Sequence, residues 1–189
     1  MIILPRSFYR RDTVDVAQDL LGKILVRKIG QKLVSGIIIE TEAYKDDDPA
    51  SHSYSGITER NKVMFDEVGM TYVYFTYGMH YCVNAVAKNN ESKAGAVLLR
   101  ALIPKDGIDF MIKQRKTSEI SNLTNGPAKL TQALRITKRQ CGEDLTKPSS
   151  LFIVEGKNIK KSNIKARSRI GIKKAIDKLW NFSIPEKLI

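Results

Sequence analysis

Two glutamates and a tyrosine occupy alternate positions where an apolar segment of the chain ends. Residues 37–44 have the sequence IIIETEAY. Because alternate side chains of a β-strand share one face, Glu40, Glu42 and Tyr44 are expected to point to the same side. A buried carboxylate must be paired or used in chemistry, since an isolated charge is costly to bury. The segment predicts a carboxylate site beside an aromatic ring.

A second segment supplies further aromatic rings. Residues 71–78 have the sequence TYVYFTYG, a tyrosine-rich strand of a kind that a small core rarely needs. The chain also carries a net charge of +12, which points to a polyanionic partner or an acidic surface. A carboxylate at the edge of an aromatic box, in so basic a protein, suggests chemistry on a nucleobase.

The positive charge is concentrated towards the C-terminus. Between Lys157 and Lys178, a stretch that we call the basic segment, nine residues are Lys or Arg and only Asp177 is acidic. The basic segment is either a solvated face or a surface that follows phosphates with salt-dependent affinity. Charge alone does not distinguish DNA from RNA or from an anionic membrane.

Composition is that of an ordinary globular protein. The 189 residues are 42% hydrophobic and 28% charged, which fits one domain over residues 1–189. No apolar run approaches the roughly 20 residues needed to span a bilayer, and no signal peptide is evident. Cys82 and Cys141 are far apart, so a disulfide framework is not expected. We expect a cytoplasmic, nucleoid-associated monomer that does not bind membranes.

The elements that must position these residues are read from periodicity and turn signals. The predicted fold class is α+β, with a mostly antiparallel, curved sheet, surrounding helices and a protruding β-hairpin whose tip is residues 78–80. Residues 45–60 are predicted to form a surface loop, and a helix is predicted in the basic segment, up to Trp180. The other predicted elements are strands at 23–29, 33–41, 71–77, 81–87, 96–103 and 151–155, and helices beginning at Asp12 or Thr13, at Asp106 and at Pro127.

Several chemistries are set aside. Two histidines and two cysteines at unrelated spacing do not form a zinc motif, and no glycine-rich phosphate loop is present. Neither cysteine belongs to a nucleophile signature. The chemistry is therefore expected to depend on carboxylates, aromatic rings and water, with no metal and no cofactor.

Eight short blocks occur in an order that is specific when taken together. They are Glu42–Tyr44, the loop with His52, Arg60–Asn61, Tyr72–Tyr74 with Tyr77–Met79, Asn84, Leu98–Leu102, Gly126–Leu130 and Arg169–Ile172. Over nearly its whole length the chain resembles a bacterial member of the alkyladenine (3-methyladenine) DNA glycosylase family. The resemblance implies a mixed α/β domain that flips a damaged purine, most readily 3-methyladenine, from double-stranded DNA and hydrolyses its glycosidic bond.

The resemblance gives Glu42 the role of general base. Glu42 would activate a water and stabilise the cationic sugar, releasing the base without cutting the strand. Arg100 would keep Glu42 ionised and help to hold the water, although an ion pair with arginine is also a common structural role for such a carboxylate. Glu40 is assigned to structure.

The resemblance also describes a base pocket. Tyr44 and Tyr74 would be its two faces, where cation–π contacts with an alkylated purine are worth roughly 0.5–2 kcal/mol each. His52 would be a third wall, through its ring or its backbone amide. Asn84 would exclude the 2-amino group of guanine, but an ordinary strand-edge amide is an equal alternative. Each tyrosine, taken singly, is more often a core residue.

DNA contacts are expected on both sides of the pocket. Tyr77, assisted by Met79, would be a wedge that fills the gap left by the flipped nucleotide. Tyr77 and Tyr74 differ in parity, so they would lie on opposite faces of a regular strand. The candidates for contacts with the DNA backbone are Arg60, Asn61, Lys129 and Arg169, with Gly171 allowing close approach.

One departure and two alternatives complete the interpretation. The family often has Arg before the final Phe, whereas Asn181 precedes Phe182 here, so a phosphate or structural contact could be lost. The chain could instead be a non-catalytic nucleic-acid-binding module that uses Tyr77 and the basic segment only. It could also be a glycosylase with lyase activity, although the resemblance places no lysine beside Glu42.

Overall fold

An antiparallel sheet of eight strands organises the structure, a computed structural model that describes residues 1–189. Six strands follow the order β3-β4-β5-β2-β1-β6, while β8 pairs with β2 and β7 pairs with β8. The strands are β1 (Ile24–Ile29), β2 (Lys32–Lys45), β3 (Thr71–Thr76), β4 (His80–Val86), β5 (Gly95–Asp106), β6 (Leu151–Val154), β7 (Lys165–Arg167) and β8 (Asn181–Ser183).

Four α-helices accompany the sheet. They are α1 (Arg6–Tyr9), α2 (Thr13–Asp19), α3 (Ile108–Arg115) and α4 (Pro127–Ala133), and short 3-10 turns lie between several elements. The main core contains 29 buried hydrophobic residues contributed by both the sheet and the helices. The prediction of an α+β fold with a mostly antiparallel sheet is therefore confirmed. None of the helices is long and apolar enough to span a membrane.

Strand β2 connects the sheet to the site. It pairs with β1 through its first half, with β5 along most of its length, and with β8 at Glu40–Glu42. Its register with β5 is irregular around Ser35 and around Glu40, and such irregularities bend a strand. The curved second half of β2 thus leaves β1 and is covered by β8 instead. β2 is longer than the predicted 33–41, because residues 42–45 are still paired with β5.

Three sequence signals gave the right local structure. The Asp12 side chain accepts a hydrogen bond of 2.8 Å from the Val14 amide and caps α2, as predicted. Pro127 is the first residue of α4, where its missing N–H costs nothing. β3 and β4 form the predicted hairpin, with residues 77–79 at its tip.

Two predicted boundaries near position 105 are wrong. β5 continues through Pro104, which lies opposite Gly36 beside a register irregularity, where a missing N–H is tolerated. α3 begins after Gly107 rather than with Asp106 as its cap. The Asp106 carboxylate instead accepts a hydrogen bond from the Ser35 hydroxyl across the sheet.

The helix predicted in the basic segment is also wrong. β7 pairs with β8 in an antiparallel manner, and the residues between them form turns. The Ser168 hydroxyl donates to the Ile176 carbonyl oxygen at 2.7 Å, which closes this connection on itself. Pairing over a long sequence separation, invisible in local periodicity, decides the structure here.

Gly22 is where the basic segment is fastened to the sheet. Its φ is +83°, and a Cβ there would lie 2.3 Å from the Lys157 carbonyl oxygen. The Lys157 amide donates to the Gly22 carbonyl oxygen at 3.0 Å. Gly30, in the β1–β2 turn, also has a positive φ of +59° but no neighbour within 4 Å of a Cβ. An alanine at Gly22 would therefore add both backbone strain and a steric clash, whereas an alanine at Gly30 would add backbone strain alone.

We expect Gly22→Ala to lower the free energy of unfolding by about 2–5 kcal/mol, since left-handed strain and overpacking add. Gly30→Ala should cost only the strain, about 1–2 kcal/mol. Urea denaturation of both variants measures the difference. Equal losses would show that the close approach at Gly22 contributes nothing.

Candidate active site

A cavity of about 380 Å³ opens between the end of β2, the β3–β4 hairpin and the basic segment. It brings together most of the residues singled out from the sequence: Glu42, Arg100, Tyr44, His52, Tyr74, Asn84, Tyr77, Arg60 and Gly171. Four other candidates, Met79, Asn61, Lys129 and Arg169, do not line it. No group of His, Cys, Asp or Glu side chains is arranged to hold a metal ion.

Glu42 is the most constrained side chain of the cavity wall. It is fully buried, and each of its oxygens accepts two hydrogen bonds. Oε2 accepts from the Tyr44 hydroxyl at 2.8 Å and from Nη1 of Arg100 at 3.2 Å. Oε1 accepts from the Ile170 amide at 2.7 Å and from Nδ2 of Asn181 at 3.0 Å. All four partners are donors, so the group is satisfied as an anion in one orientation.

Glu40 belongs to the same network. Its Oε1 accepts from Nε of Arg100 at 2.9 Å and from Nδ2 of Asn181 at 2.7 Å. Glu40, Glu42, Arg100 and Asn181 thus form a closed group that we call the carboxylate ring. Burial alone would lower the pKa of Arg100, but the charges of Glu42 and Glu40 raise it overall. Arg100 is a permanent cation shared by two acids, in keeping with the structural role assigned to Glu40.

Strand pairing explains why the ring forms. In β8, Ser183 and Asn181 lie opposite Glu40 and Glu42. Arg100 of β5 lies between the partners of Glu40 and Thr41, where the β2–β5 register is irregular. Residues directly opposite on paired strands share a face, so three strands deliver their polar groups to one side. Asn181 was noted in the sequence only as a departure from the family, and its role as a donor was missed.

Tyr44 is fixed at both ends. Its hydroxyl donates to Glu42, and the Arg169 guanidinium lies 4.7 Å from the centre of its ring. Burial raises the pKa of Tyr44, and the neighbouring charge of Glu42 raises it further. The hydroxyl therefore stays protonated and remains a donor at physiological pH. The ring forms one wall of the cavity in a fixed position.

A buried ion pair lies behind this wall. The side chains of Arg169 and Asp48 are both fully buried, with Nη2 3.0 Å from Oδ1 and Nη1 in contact with the other oxygen. Nη1 also donates to the Ala43 carbonyl oxygen at 2.9 Å. Asp48 was predicted in a surface loop, and its burial corrects that prediction. Arg169, a candidate for DNA contact, has its charge neutralised inside the protein and holds the basic segment against Tyr44.

Another part of the cavity wall consists of aromatic rings in edge-to-face contact. The rings of His52 and Tyr74 are 4.7 Å apart at an angle of 80°, and His52 Nδ1 shares a hydrogen bond of 2.9 Å with the Tyr72 hydroxyl. Desolvation lowers the pKa of His52, and the charge of Arg60 lowers it further. His52 is therefore neutral near pH 7. Burial raises the pKa of Tyr72 to about 12, so its hydroxyl stays protonated.

Asn84 lies on β4 at the far side of the cavity. Its Nδ2 donates to the Tyr72 carbonyl oxygen at 2.9 Å, and the side chain is buried. This bond fits the alternative of an amide satisfied by the backbone, and it leaves Oδ1 as the group available to the cavity. Exclusion of guanine by Asn84 stays a prediction.

The hairpin tip carries two exposed apolar side chains. Tyr77 is 84% exposed and Met79 is 68% exposed. Tyr77 has a φ of +50°, a conformation that is strained for a bulky residue. This left-handed turn lets Tyr77 reach the cavity mouth on the same side as Tyr74, although the two differ in parity. The strain and the exposure both favour a contact with a partner.

The remaining candidates for DNA contact differ in their exposure to solvent and in their hydrogen bonds within the protein. Arg60 is exposed, with its guanidinium 5.3 Å from the Tyr74 ring centre. Gly171 is exposed and has a φ of +78°. Lys129 Nζ is bonded to Asn122 and, at 2.8 Å, to Asn125. Asn61 is buried and closes the 52–61 loop through hydrogen bonds to the carbonyl oxygens of His52 and Gly56, so its side chain is not directed to solvent.

The site thus places a carboxylate, an arginine and several aromatic rings around one cavity of a basic α+β protein, a class of site suited to a flat heteroaromatic group. Over residues 7–188 the chain matches the family described as methylpurine-DNA glycosylase (MPG). The chain belongs to this family.

Individual relatives agree over nearly the full length. A protein of Carboxydothermus hydrogenoformans is 47% identical over 181 residues, which cover 96% of this chain and 94% of the relative. A protein of Prosthecochloris aestuarii is 47% identical, covering 93% and 84%, and one of Francisella tularensis is 44% identical, covering 96% and 95%. Each of the three is named "Putative 3-methyladenine DNA glycosylase".

Removing the acid of the buried ion pair tests its contribution. Asp48→Ala leaves the Arg169 guanidinium buried without a counter-charge, so the free energy of unfolding should fall by about 3–5 kcal/mol. The neighbouring Asp47 is exposed, and Asp47→Ala should change it by no more than about 0.5 kcal/mol. Chemical denaturation measures both, and equal effects would mean that the pair does not stabilise the site.

Proposed function

We propose that the protein is a monofunctional DNA glycosylase that removes alkylated purines, foremost 3-methyladenine, from double-stranded DNA. The base is flipped into the cavity, and a water activated by Glu42 hydrolyses the glycosidic bond. The observation that carries this proposal is the Glu42 carboxylate, oriented by four donors in the wall of an aromatic cavity. Family membership and the names of the relatives support the same reaction.

The cavity suits an extruded purine. Its volume of about 380 Å³ falls within the roughly 300–1,000 Å³ typical of small-molecule sites. Tyr44, Tyr74 and His52 all line the cavity, and we expect their rings to contact a flat base. An alkylated purine is a cation, and electron-rich rings attract a cation with about 0.5–2 kcal/mol per contact. The neutral His52 adds no positive charge against it.

Hydrolysis requires a water beside Glu42, whose lone pairs are all occupied. One donor must give way, and the Ile170 amide is the candidate because it belongs to an exposed turn at the rim of the cavity. The other three donors come from buried or half-buried side chains of the sheet. Release of the amide would open Oε1 to a water while Arg100 and Tyr44 keep Oε2 in place.

The bond changes then follow simply. The C1′–N bond breaks with its electron pair going to the purine, and a cationic purine leaves as a neutral molecule. The sugar becomes oxocarbenium-like, and the Glu42 carboxylate stabilises that charge. The water oxygen bonds to C1′ as Glu42 takes its proton. The products are the free base and an abasic site in an uncut strand.

The two alternatives have less support. A non-catalytic binding module has no need of a carboxylate buried with four donors at a cavity wall, because burying it costs desolvation. A lyase needs an amine nucleophile, but no lysine lines the cavity. Lys45, the next residue along β2 after Tyr44, is paired with Asp12 at 2.9 Å.

Glu42→Gln tests the general base. Glutamine keeps the size of the side chain but cannot take a proton, so base release should fall by about 10²–10⁴-fold while binding to lesion-containing duplex persists. The measurement is single-turnover release of 3-methyladenine from methylated duplex DNA in EDTA.

Glu40→Gln is the matched control for this experiment. It alters the same carboxylate ring without touching the proposed base, and its rate should stay within about tenfold of the wild type. Wild-type activity in Glu42→Gln would exclude Glu42 as the base, and no release by the folded wild type would exclude the proposed function.

Tyr77→Ala tests the wedge. Without the ring, the few kcal/mol spent on unstacking the duplex are less well repaid, so base release from a paired lesion should slow by about tenfold or more. Phe75, which is 48% exposed on the same hairpin, is the control, and Phe75→Ala should act much like the wild type. Single-turnover rates on paired and single-stranded lesions measure the effect. A similar loss on single strands would contradict the role of a wedge.

A further inference from the structure

Strand β7 forms an exposed edge beside the carboxylate ring. All three of its residues are exposed, and it pairs only with β8. Lys165 lies opposite Ser183, which in turn lies opposite Glu40. Arg167 lies opposite Asn181, which in turn lies opposite Glu42. The two cations are therefore in register with the two carboxylates, two strands away.

The cations also lie on the same face as the carboxylates. Opposite residues of an antiparallel pair point to the same side. The hydrogen bond from Asn181 to Glu42 identifies this side as that of the cavity, whereas Phe182 points into the core. Neighbouring strands are about 4.8 Å apart, so the backbone at Arg167 lies roughly 10 Å from that at Glu42.

Arg167 and Lys165 have charges without internal partners. Neither of them forms an ion pair in the structure. The two nearer guanidiniums behave differently, since Arg100 is bound by Glu40 and Glu42, and Arg169 by Asp48. The residues opposite Arg167 and Lys165 on β8 are the uncharged Asn181 and Ser183, so β8 does not neutralise these two cations.

We propose that Arg167 and Lys165 bind the phosphates that flank the flipped nucleotide, an inference that rests on the proposed function. The reacting sugar must stand beside Glu42, and its two phosphates are then within the reach of a long side chain from β7. The guanidinium of Arg167 can grip a phosphate with two hydrogen bonds, and Lys165 adds a point charge about 6.6 Å along the strand. Arg167 is a positioning residue, because it holds the backbone of the nucleotide and not its reacting bond.

The experiment combines a substitution in the protein with the loss of charge at a single phosphate of the DNA. A duplex carries a tetrahydrofuran abasic analogue, which cannot be hydrolysed, and one phosphate next to it is replaced by an uncharged methylphosphonate. Affinities of the wild type and of Arg167→Gln and Lys165→Gln are measured on each duplex and at several salt concentrations. The control variant is Lys32→Gln, because Lys32 is an exposed lysine about 30 Å from Glu42 along β2.

Arg167→Gln should weaken binding to the unmodified duplex about tenfold and lower the salt slope by about 0.9, whereas Lys32→Gln should leave both unchanged. Methylphosphonate at one flanking phosphate should weaken the wild type but have no further effect on Arg167→Gln. Additive losses at every flanking position, or no loss from Arg167→Gln, would overturn the inference. Base release by the wild type, assayed in parallel, separates that outcome from a failure of the proposed function.

Discussion

Two carboxylates at the end of one strand impose the main constraint on this fold. An acid removed from water needs donors, and β2 itself supplies Glu42 with only one of its four, the Tyr44 hydroxyl. Arg100 comes from β5, Asn181 from β8 and the Ile170 amide from the basic segment. Satisfying Glu42 therefore brings three distant parts of the chain to one point.

The constraint extends one layer outward through the Arg169–Asp48 pair. A buried ion pair is weak evidence of stabilisation in itself, but losing one partner is expensive, so its members stay together. Here the pair anchors the middle of the highly charged basic segment to the loop that contains Asp48. Arg169 thereby sets the position of the next amide, that of Ile170, which donates to Glu42. Stability and placement of the catalytic candidate depend on the same contact.

Much of this arrangement could be predicted from local pattern. Alternation along 37–44 correctly placed Glu42 and Tyr44 on one side of a strand, and turn residues located the hairpin with Tyr77. What failed depends on contacts distant in sequence. Nothing local distinguishes Asp48 from the two aspartates before it, yet only a buried partner 121 residues away explains its position. The charge and periodicity of the basic segment favoured a helix, whereas β7 within it pairs with β8, which follows the segment and in turn pairs with β2.

The distribution of charge agrees with a substrate that carries both signs. DNA presents phosphates on its outside, while an alkylated purine carries its positive charge on the base. In this protein Arg167 and Lys165 of β7 are exposed and form no ion pair, whereas the buried guanidiniums of Arg100 and Arg169 are held by acids. Arg60, which lines the cavity without an acidic partner, is exposed to solvent. A buried cation without a counter-charge would repel an alkylated base more strongly than the solvent-exposed Arg60 does, and an unpaired acid on β7 would repel the DNA backbone. In the proposed reaction, charge that is neutralised beside the cavity and free on β7 would let one surface attract the strand while the cavity accepts the cationic base.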